Sequence, residues 1–271
     1  MLDEDGLPLD EVGSWAKEKH ERLCKYIDIS RAVRRKFLQG GGGATYIDLF
    51  CGSGRAFVRD TAEKIDGSPL VAFKCARDGG APFSQIHIAD LEEEKVTAAA
   101  KRITNAGGAV ATYVGKAEDI AAQVVARLNP RGLHFAFLDP YNLDALPFSV
   151  IEALGRLKRI DMLIHVSAQD LQRNLDAYTK PEDNRLERFA PGWRQYVGLD
   201  QSQQRIRAAL LSYWVGKFET LGLSPASHAE LVSGQERNQR LYWLVLVSRE
   251  KLARDFWEKI RSVSGQRELP L

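Results

Sequence analysis

Two short strings place reactive or ligand-binding residues at the ends of apolar runs. Residues 46–54 read Tyr-Ile-Asp-Leu-Phe-Cys-Gly-Ser-Gly, a strand-forming run that carries Asp48 and closes on Gly52 and Gly54. Paired glycines let the chain reverse sharply and let a ligand lie against bare backbone. A phosphate-cradling loop needs Lys followed by Ser or Thr after its last glycine, and a dinucleotide fingerprint needs a third glycine three residues on. Arg55 and Phe57 stand in those places. The turn therefore suits a ligand without a pyrophosphate, and a dinucleotide-dependent dehydrogenase is disfavoured; a purely structural turn would carry the same two glycines. The second string, Leu138-Asp139-Pro140-Tyr141-Asn142, ends another apolar run. Its plain reading is that Pro140 stops a strand and Tyr141 packs.

The first string resembles motif I of S-adenosylmethionine (SAM) methyltransferases and is close to what DNA cytosine methyltransferases and several RNA methyltransferases carry. The resemblance implies that Asp48, Phe50, Cys51, Gly52, Ser53 and Gly54 hold SAM, whose amino-acid tail and sulfonium replace a pyrophosphate. The second string is similar to the Asp/Asn-Pro-Pro-Tyr/Phe motif of enzymes that methylate exocyclic amino groups of adenine or cytosine. An aromatic amine is a poor nucleophile because its lone pair is delocalised into the ring. An Asp oxygen and the neighbouring backbone carbonyl can accept its two N–H bonds and aim the lone pair at the methyl group, while the aromatic residue stacks on the extruded base. The resemblance thus assigns catalysis to Asp139, Pro140 and Tyr141. One proline of the motif is missing, which moves Tyr141 one residue nearer.

Both strings must be positioned by a sheet. A helix is expected from Ser14 to about Leu38, ended by the glycines at 40–43, followed by strands at 46–50, 86–89, 112–114, 135–138 and 161–166 with helical stretches between them. Such alternation predicts a parallel sheet, with ligands beyond the carboxyl ends of its strands. Residues 55–66 read as a long loop, and the next helix as capped by Ser68 and opened by Pro69. The second strand ends at Asp90, where methyltransferases bind the ribose; Leu91 follows it. Asp90 and Glu93 also have the spacing of a capping box. After the third strand Lys116 stands where methyltransferases often put an acid for adenine. That contact passes to Ala117, to Glu118 or to Asp119, acids that would equally suit a helix N-terminus. His165 reads as a core histidine.

The tail changes character. A long amphipathic helix at 201–221 precedes two strands, 229–232 and 241–247, joined by a polar turn around 234–238 that pairs them antiparallel. The expected fold is α/β, a Rossmann-like class I methyltransferase fold whose parallel sheet is closed by an antiparallel C-terminal hairpin. One domain, 1–271, is expected to comprise an N-terminal helical extension (14–39), a SAM-binding core (46–170), a helical insertion (171–224) and the hairpin with its helix (226–262). Residues 156–194 carry eight Lys or Arg against six acids and read as a solvated insertion.

With 271 residues, 44% apolar and 27% charged, the chain can bury a sizeable core. The net charge of +2 hides an acidic start, Asp3, Glu4, Asp5, Asp10 and Glu11, and so a mildly basic remainder. That balance is compatible with nucleic acid and does not require it; either Arg31, Arg34, Arg35 and Lys36 or Arg205 and Arg207 of the long helix would meet it. Cys24, Cys51 and Cys75 are widely spaced, so no metal site is expected. No signal-peptide core and no membrane-length apolar run appear, and a cytoplasmic protein with reduced thiols is expected.

Nearly the whole chain resembles the three-Cys-motif partner proteins, bacterial methyltransferase-like proteins encoded beside a protein with a three-cysteine motif. The resemblance is carried by Trp15, Lys19 and His20, by the strand at 46–54, by Asp66-Gly67-Ser68-Pro69 and by the string at Asp139. It implies SAM-dependent methyl transfer in association with that partner, and it makes the single proline a family trait. It names no substrate.

Overall fold

The computed structural model describes residues 1–233, 240–262 and 268–270, which divide into two compact units: 1–139 with 157–161, and 140–156 with 162–271. In the first unit β1 (Asp10–Val12) precedes two helices, α1 (Trp15–Ile29) and α2 (Arg31–Gln39). The single helix expected over 14–38 is interrupted at Ser30, whose hydroxyl donates back to the Tyr26 and Ile27 carbonyls. A side-chain donor that takes up helix carbonyls in this way favours a bend over a continuous ladder.

The sheet is built on β2 (Ala44–Asp48), all five residues of which are buried. After it come β3 (Arg55–Val58), β4 (Lys64–Asp66), α3 (Ser68–Asp78), β5 (Gln85–Asp90), α4 (Glu93–Asn105), β6 (Ala111–Val114), α5 (Ala117–Arg127) and β7 (Leu133–Leu138). The strands β7, β2, β5 and β6 lie in that order, all parallel, with Asp48 level with Ile88 and Phe137. From β2 the chain proceeds outward through β5 and β6, then returns to the other side of β2 as β7. That reversal creates the switch point at which open parallel sheets bind ligands.

The expected loop at 55–66 is instead the antiparallel pair β3 and β4, with β1 added in parallel on β3 to make a second, three-stranded sheet. In β3, Ala56 and Val58 are buried while Arg55 and Phe57 are half-exposed. Four residues are too few for that alternation to stand out from a charged surrounding sequence. A further correction concerns thiols. Cys24 of α1 and Cys75 of α3 form a disulfide with Cα atoms 5.7 Å apart, because the two helices pack side by side; Cys51 is free and buried.

In the second unit, α6 (Phe148–Gly155), β8 (Ile160–Ser167, whose first two residues belong to the first unit), α7 (Ala168–Tyr178), α8 (Arg185–Phe189) and α9 (Gln203–Gly216) precede β9 (Ser224–Pro225), β10 (His228–Ser233), β11 (Arg240–Ser248), α10 (Lys251–Ser262) and β12 (Glu268–Pro270). The expected hairpin is present: β10 and β11 are antiparallel, Leu231 opposite Trp243, with β12 against β10 and β9 against β11. Its expected turn at 234–238 lies outside the described residues. The stretch 156–194 is no solvated insertion. Leu171, Leu175, Tyr178, Leu186, Phe189 and Trp193 are buried, which the high count of charges on its outer faces conceals. His165 is buried with its ring 4.7 Å from Tyr242. No helix among the described residues is long and apolar enough to cross a membrane.

The fold class is α/β and Rossmann-like.

Candidate active site

The glycine turn sits where β2 ends. Gly52 (φ +54°) and Gly54 (φ +81°) both occupy the left-handed region that favours glycine. Gly54 is also a packing requirement: a Cβ there would lie 2.9 Å from the Ala99 Cα on α4 and from Leu70 on α3. Each strut of the turn is a polar contact. The Cys51 amide donates to the Ala89 carbonyl (2.9 Å), the Gly52 amide to Asp90 Oδ2 (3.1 Å), and the Ser53 amide to Asp10 Oδ2 (2.6 Å). Arg102 of α4, itself buried, donates to the Ser53 and Pro8 carbonyls (2.8 Å each) and pairs with Asp5 (2.9 Å). Residues 5–10 are thereby strapped to the turn.

Asp48 lies beneath the turn and is fully buried. Its carboxylate accepts from the Ser68 hydroxyl (2.6 Å), the Tyr46 hydroxyl (3.0 Å) and the Phe50 amide (3.1 Å). Ser68 is thus not the helix cap expected of it; Gly67 holds that place, and the Ser68 hydroxyl is turned to Asp48. Burial pushes the Asp48 pKa up from 3.8 to about 7, and its three hydrogen bonds only moderate the rise. Between these two values the folded chain keeps a proton that the unfolded chain has released, so unfolding free energy falls as pH rises through the window, by up to about 1.4 kcal/mol per pH unit. Asp48→Asn keeps the acceptor for Phe50 and removes the titration. Its melting temperature relative to wild type should rise from about pH 5 to about pH 8, and parallel melting curves across that range would show that Asp48 does not titrate there.

Asp90, at the end of β5, is half-buried. One carboxylate oxygen holds the Gly52 amide and the other the Glu92 amide (3.2 Å). The capping box with Glu93 does not form: Glu92 is the residue before α4, and no side chain caps that helix end. Leu91 is largely exposed. The Gly115 amide donates to the Asp90 carbonyl (3.0 Å), which ties the end of β6 to that of β5 and brings Ala117 and Glu118, in the first turn of α5, to the same edge of the sheet. Lys116 precedes α5 and is exposed.

Asp139 follows β7 in the first unit. Lys19 of α1, 7% exposed, donates to its Oδ2 at 2.5 Å. Beside it His20 is buried, and that burial, with the Lys19 charge, pushes its pKa down to about 4. Asp139 caps no helix; Asn142 does so for the short turn at 143–145, accepting from the Ala145 amide (2.9 Å). Pro140 and Tyr141 open the second unit, the proline buried and the tyrosine 92% exposed. Sequence reasoning missed Asp10, Lys19 and Arg102 as neighbours of the site. Asp10 appears in the sequence only as one of five early acids, and Lys19 only as part of a family resemblance.

The proposed basic face is corrected at one position. Arg34 is buried and donates to the Ala81 and Ile27 carbonyls, so it cannot meet a ligand outside. Arg31 pairs with Asp28, and Arg205 is exposed.

The donor set selects the ligand's charge. Asp48, Asp90 and Asp10 surround the turn, and after burial their charges raise the Cys51 thiol pKa. Such a surround disfavours a pyrophosphate and suits a ligand with a cationic group. SAM, a sulfonium with a zwitterionic tail, fits that description.

No protein-family model matches the chain, and no curated protein does. Solved structures do. Protein LPL1258 of Legionella pneumophila superposes with a TM-score of 0.52 at 9% identity, over 89% of this chain and 90% of that one. A DszA carbon methyltransferase superposes with a TM-score of 0.50 at 12% identity, over 87% of this chain and 54% of that one. The N-methyltransferase NodS of Bradyrhizobium japonicum, in complex with S-adenosylhomocysteine, gives a TM-score of 0.46 at 12% identity, over 92% and 94%. The α/β, Rossmann-like fold of this chain is thus one that a methyltransferase also adopts.

Proposed function

We propose that this chain is a SAM-dependent methyltransferase acting on an amino group, with the base amines of nucleic acid as the first acceptors to test. The observation that carries the reading is that Asp48, Asp90 and Asp139 stand at the carboxyl ends of three adjacent parallel strands around a glycine turn. In that arrangement Phe50, Cys51, Gly52, Ser53 and Gly54 would bound the cofactor, Asp90 and Leu91 its ribose side, and Ala117 and Glu118 its adenine. Bound SAM supplies an electrophilic methyl group. Asp139 would accept an N–H of the amine and orient its lone pair. Titration calorimetry with SAM and S-adenosylhomocysteine, followed by transfer of tritium from labelled SAM to DNA, RNA and protein, tests both halves. No heat with a folded chain would sink the reading.

Asp90 has two jobs in this account, as an anchor for Gly52 and as an acceptor for ribose hydroxyls. Asp90→Ala should therefore weaken SAM by roughly 1 to 3 kcal/mol, the cost of buried partners left without an acceptor. Calorimetry checks it against melts without ligand. Lower stability at unchanged affinity would leave Asp90 as an anchor only.

A second reading has a specific observation behind it. The Ser53 amide, the Gly52 amide and Asp139 all have partners within the chain, an arrangement that also suits a methyltransferase fold serving as a SAM-binding scaffold for a three-cysteine-motif partner protein. SAM binding without turnover on any acceptor, in the presence of that partner, would favour it.

A further inference from the structure

Asp10 lies on the glycine turn without belonging to the motif. It is the first residue of β1, which is held in register on β3 with Asp10 level with Ala56. Its Oδ2 accepts the Ser53 amide at 2.6 Å, and a Cβ built on Gly52 would stand 2.5 Å from that same oxygen. The carboxylate therefore rests on the bare face of Gly52. Its other oxygen faces Lys95 of α4 at 3.5 Å, and Lys95 pairs in turn with Glu92 at 2.6 Å. Both side chains keep solvent access, 26% for Asp10 and 31% for Lys95. The position is not incidental, because Arg102 clamps residues 5–8 to the Ser53 carbonyl and fixes the approach of β1.

An anion and a cation, half-exposed and 3.5 Å apart over bare backbone, present one charge of each sign. At that separation and exposure the pair gains little from its own attraction, so exchanging partners with a ligand that carries both signs costs little. The amino-acid tail of SAM is such a ligand: one ammonium and one carboxylate on the same carbon. We propose that Asp10 and Lys95 form the subsite for that tail, the ammonium against Asp10 and the carboxylate against Lys95. The inference rests on the SAM reading and extends it, since the motif supplies backbone and these two residues supply the charges that the backbone lacks.

Three nucleosides separate the roles. SAM carries both tail charges, decarboxylated SAM keeps only the ammonium, and 5′-methylthioadenosine has neither. Asp10→Asn retains an oxygen for the Ser53 amide and removes only the charge, and Lys95→Met retains the stem. In calorimetric titrations of the full chain, Asp10→Asn should weaken SAM and decarboxylated SAM by about tenfold or more, the size of one hydrogen bond to a charged group, and leave 5′-methylthioadenosine unchanged. Lys95→Met should weaken SAM alone by a similar factor. Equal losses for all three ligands, or tighter SAM binding by Asp10→Asn, would overturn the subsite; the second result would make Asp10 a plug over the turn. A wild-type chain that binds the three nucleosides while both variants keep its pattern defeats the subsite and spares the SAM reading. One that binds none of them defeats both. Melts without ligand identify a variant that has lost its fold, and if Asp10→Asn does so, Lys95→Met carries the test by itself.

Discussion

Asp139→Asn should cut methyl transfer by about a hundredfold or more while changing SAM affinity by less than about threefold. The contrast follows from what the carboxylate is asked to do. A hydrogen bond from an amine to Asp139 strengthens as the nitrogen becomes pyramidal, so it is worth more in the transition state than in the bound complex, and only such a difference raises turnover. Asn keeps the shape and one acceptor oxygen, yet it lacks the charge. Lys19 sharpens the test, because its ammonium lies 2.5 Å from Asp139 and both side chains are largely buried. Removing one member of such a pair leaves the other in a poorly solvated place, at a cost of about 3 to 5 kcal/mol for a fully buried pair and less here. Melts must therefore accompany the kinetics. Transfer of tritium from labelled SAM to an acceptor that the wild type methylates, followed for both proteins, decides the matter. Full activity in a folded Asp139→Asn protein would remove Asp139 from the chemical step.

What could be seen in advance divides along a physical line. The strand at β2, the glycine turn and the alternation of strand and helix are local patterns, and each was legible because five buried residues in a row or a pair of glycines leaves a mark on neighbouring positions. Partner choice is not local. Asp90 and Glu93 have the spacing of a capping box, but the Gly52 amide, thirty-eight positions away, takes one Asp90 oxygen and the Glu92 amide takes the other. Ser68 beside Pro69 reads as a cap, yet the extended backbone of Gly67 already opens the helix and Asp48 claims the hydroxyl. Lys19 and Asp139 are 120 positions apart, and Cys24 and Cys75 are 51 apart, distances over which the chain carries no periodic signal. The three-stranded sheet escaped for a related reason: β1 is three residues long, β3 is four, and neither has a stretch long enough to separate a period of two from chance.

Gly52→Val should abolish measurable SAM binding and leave the chain folded. At φ +54° a β-branched residue is strained by roughly 1 to 3 kcal/mol. Its Cβ would also stand 2.5 Å from Asp10 Oδ2, so the carboxylate must leave the turn and the Ser53 amide loses its acceptor. Those costs together are a few kcal/mol, within the 5 to 15 kcal/mol that an ordinary domain has in hand. The ligand has no such latitude, since valine displaces the Asp10 carboxylate against which its tail would lie. Gly54 is the control that tells packing from binding. A Cβ at Gly54 meets the Ala99 backbone of α4 at 2.9 Å, which cannot rotate aside as a carboxylate can. Gly54→Val should therefore lower the melting temperature far more than Gly52→Val. Circular dichroism melts of both variants beside calorimetry with SAM read the two effects separately, and a folded Gly52→Val protein with wild-type affinity would place the cofactor somewhere other than this turn.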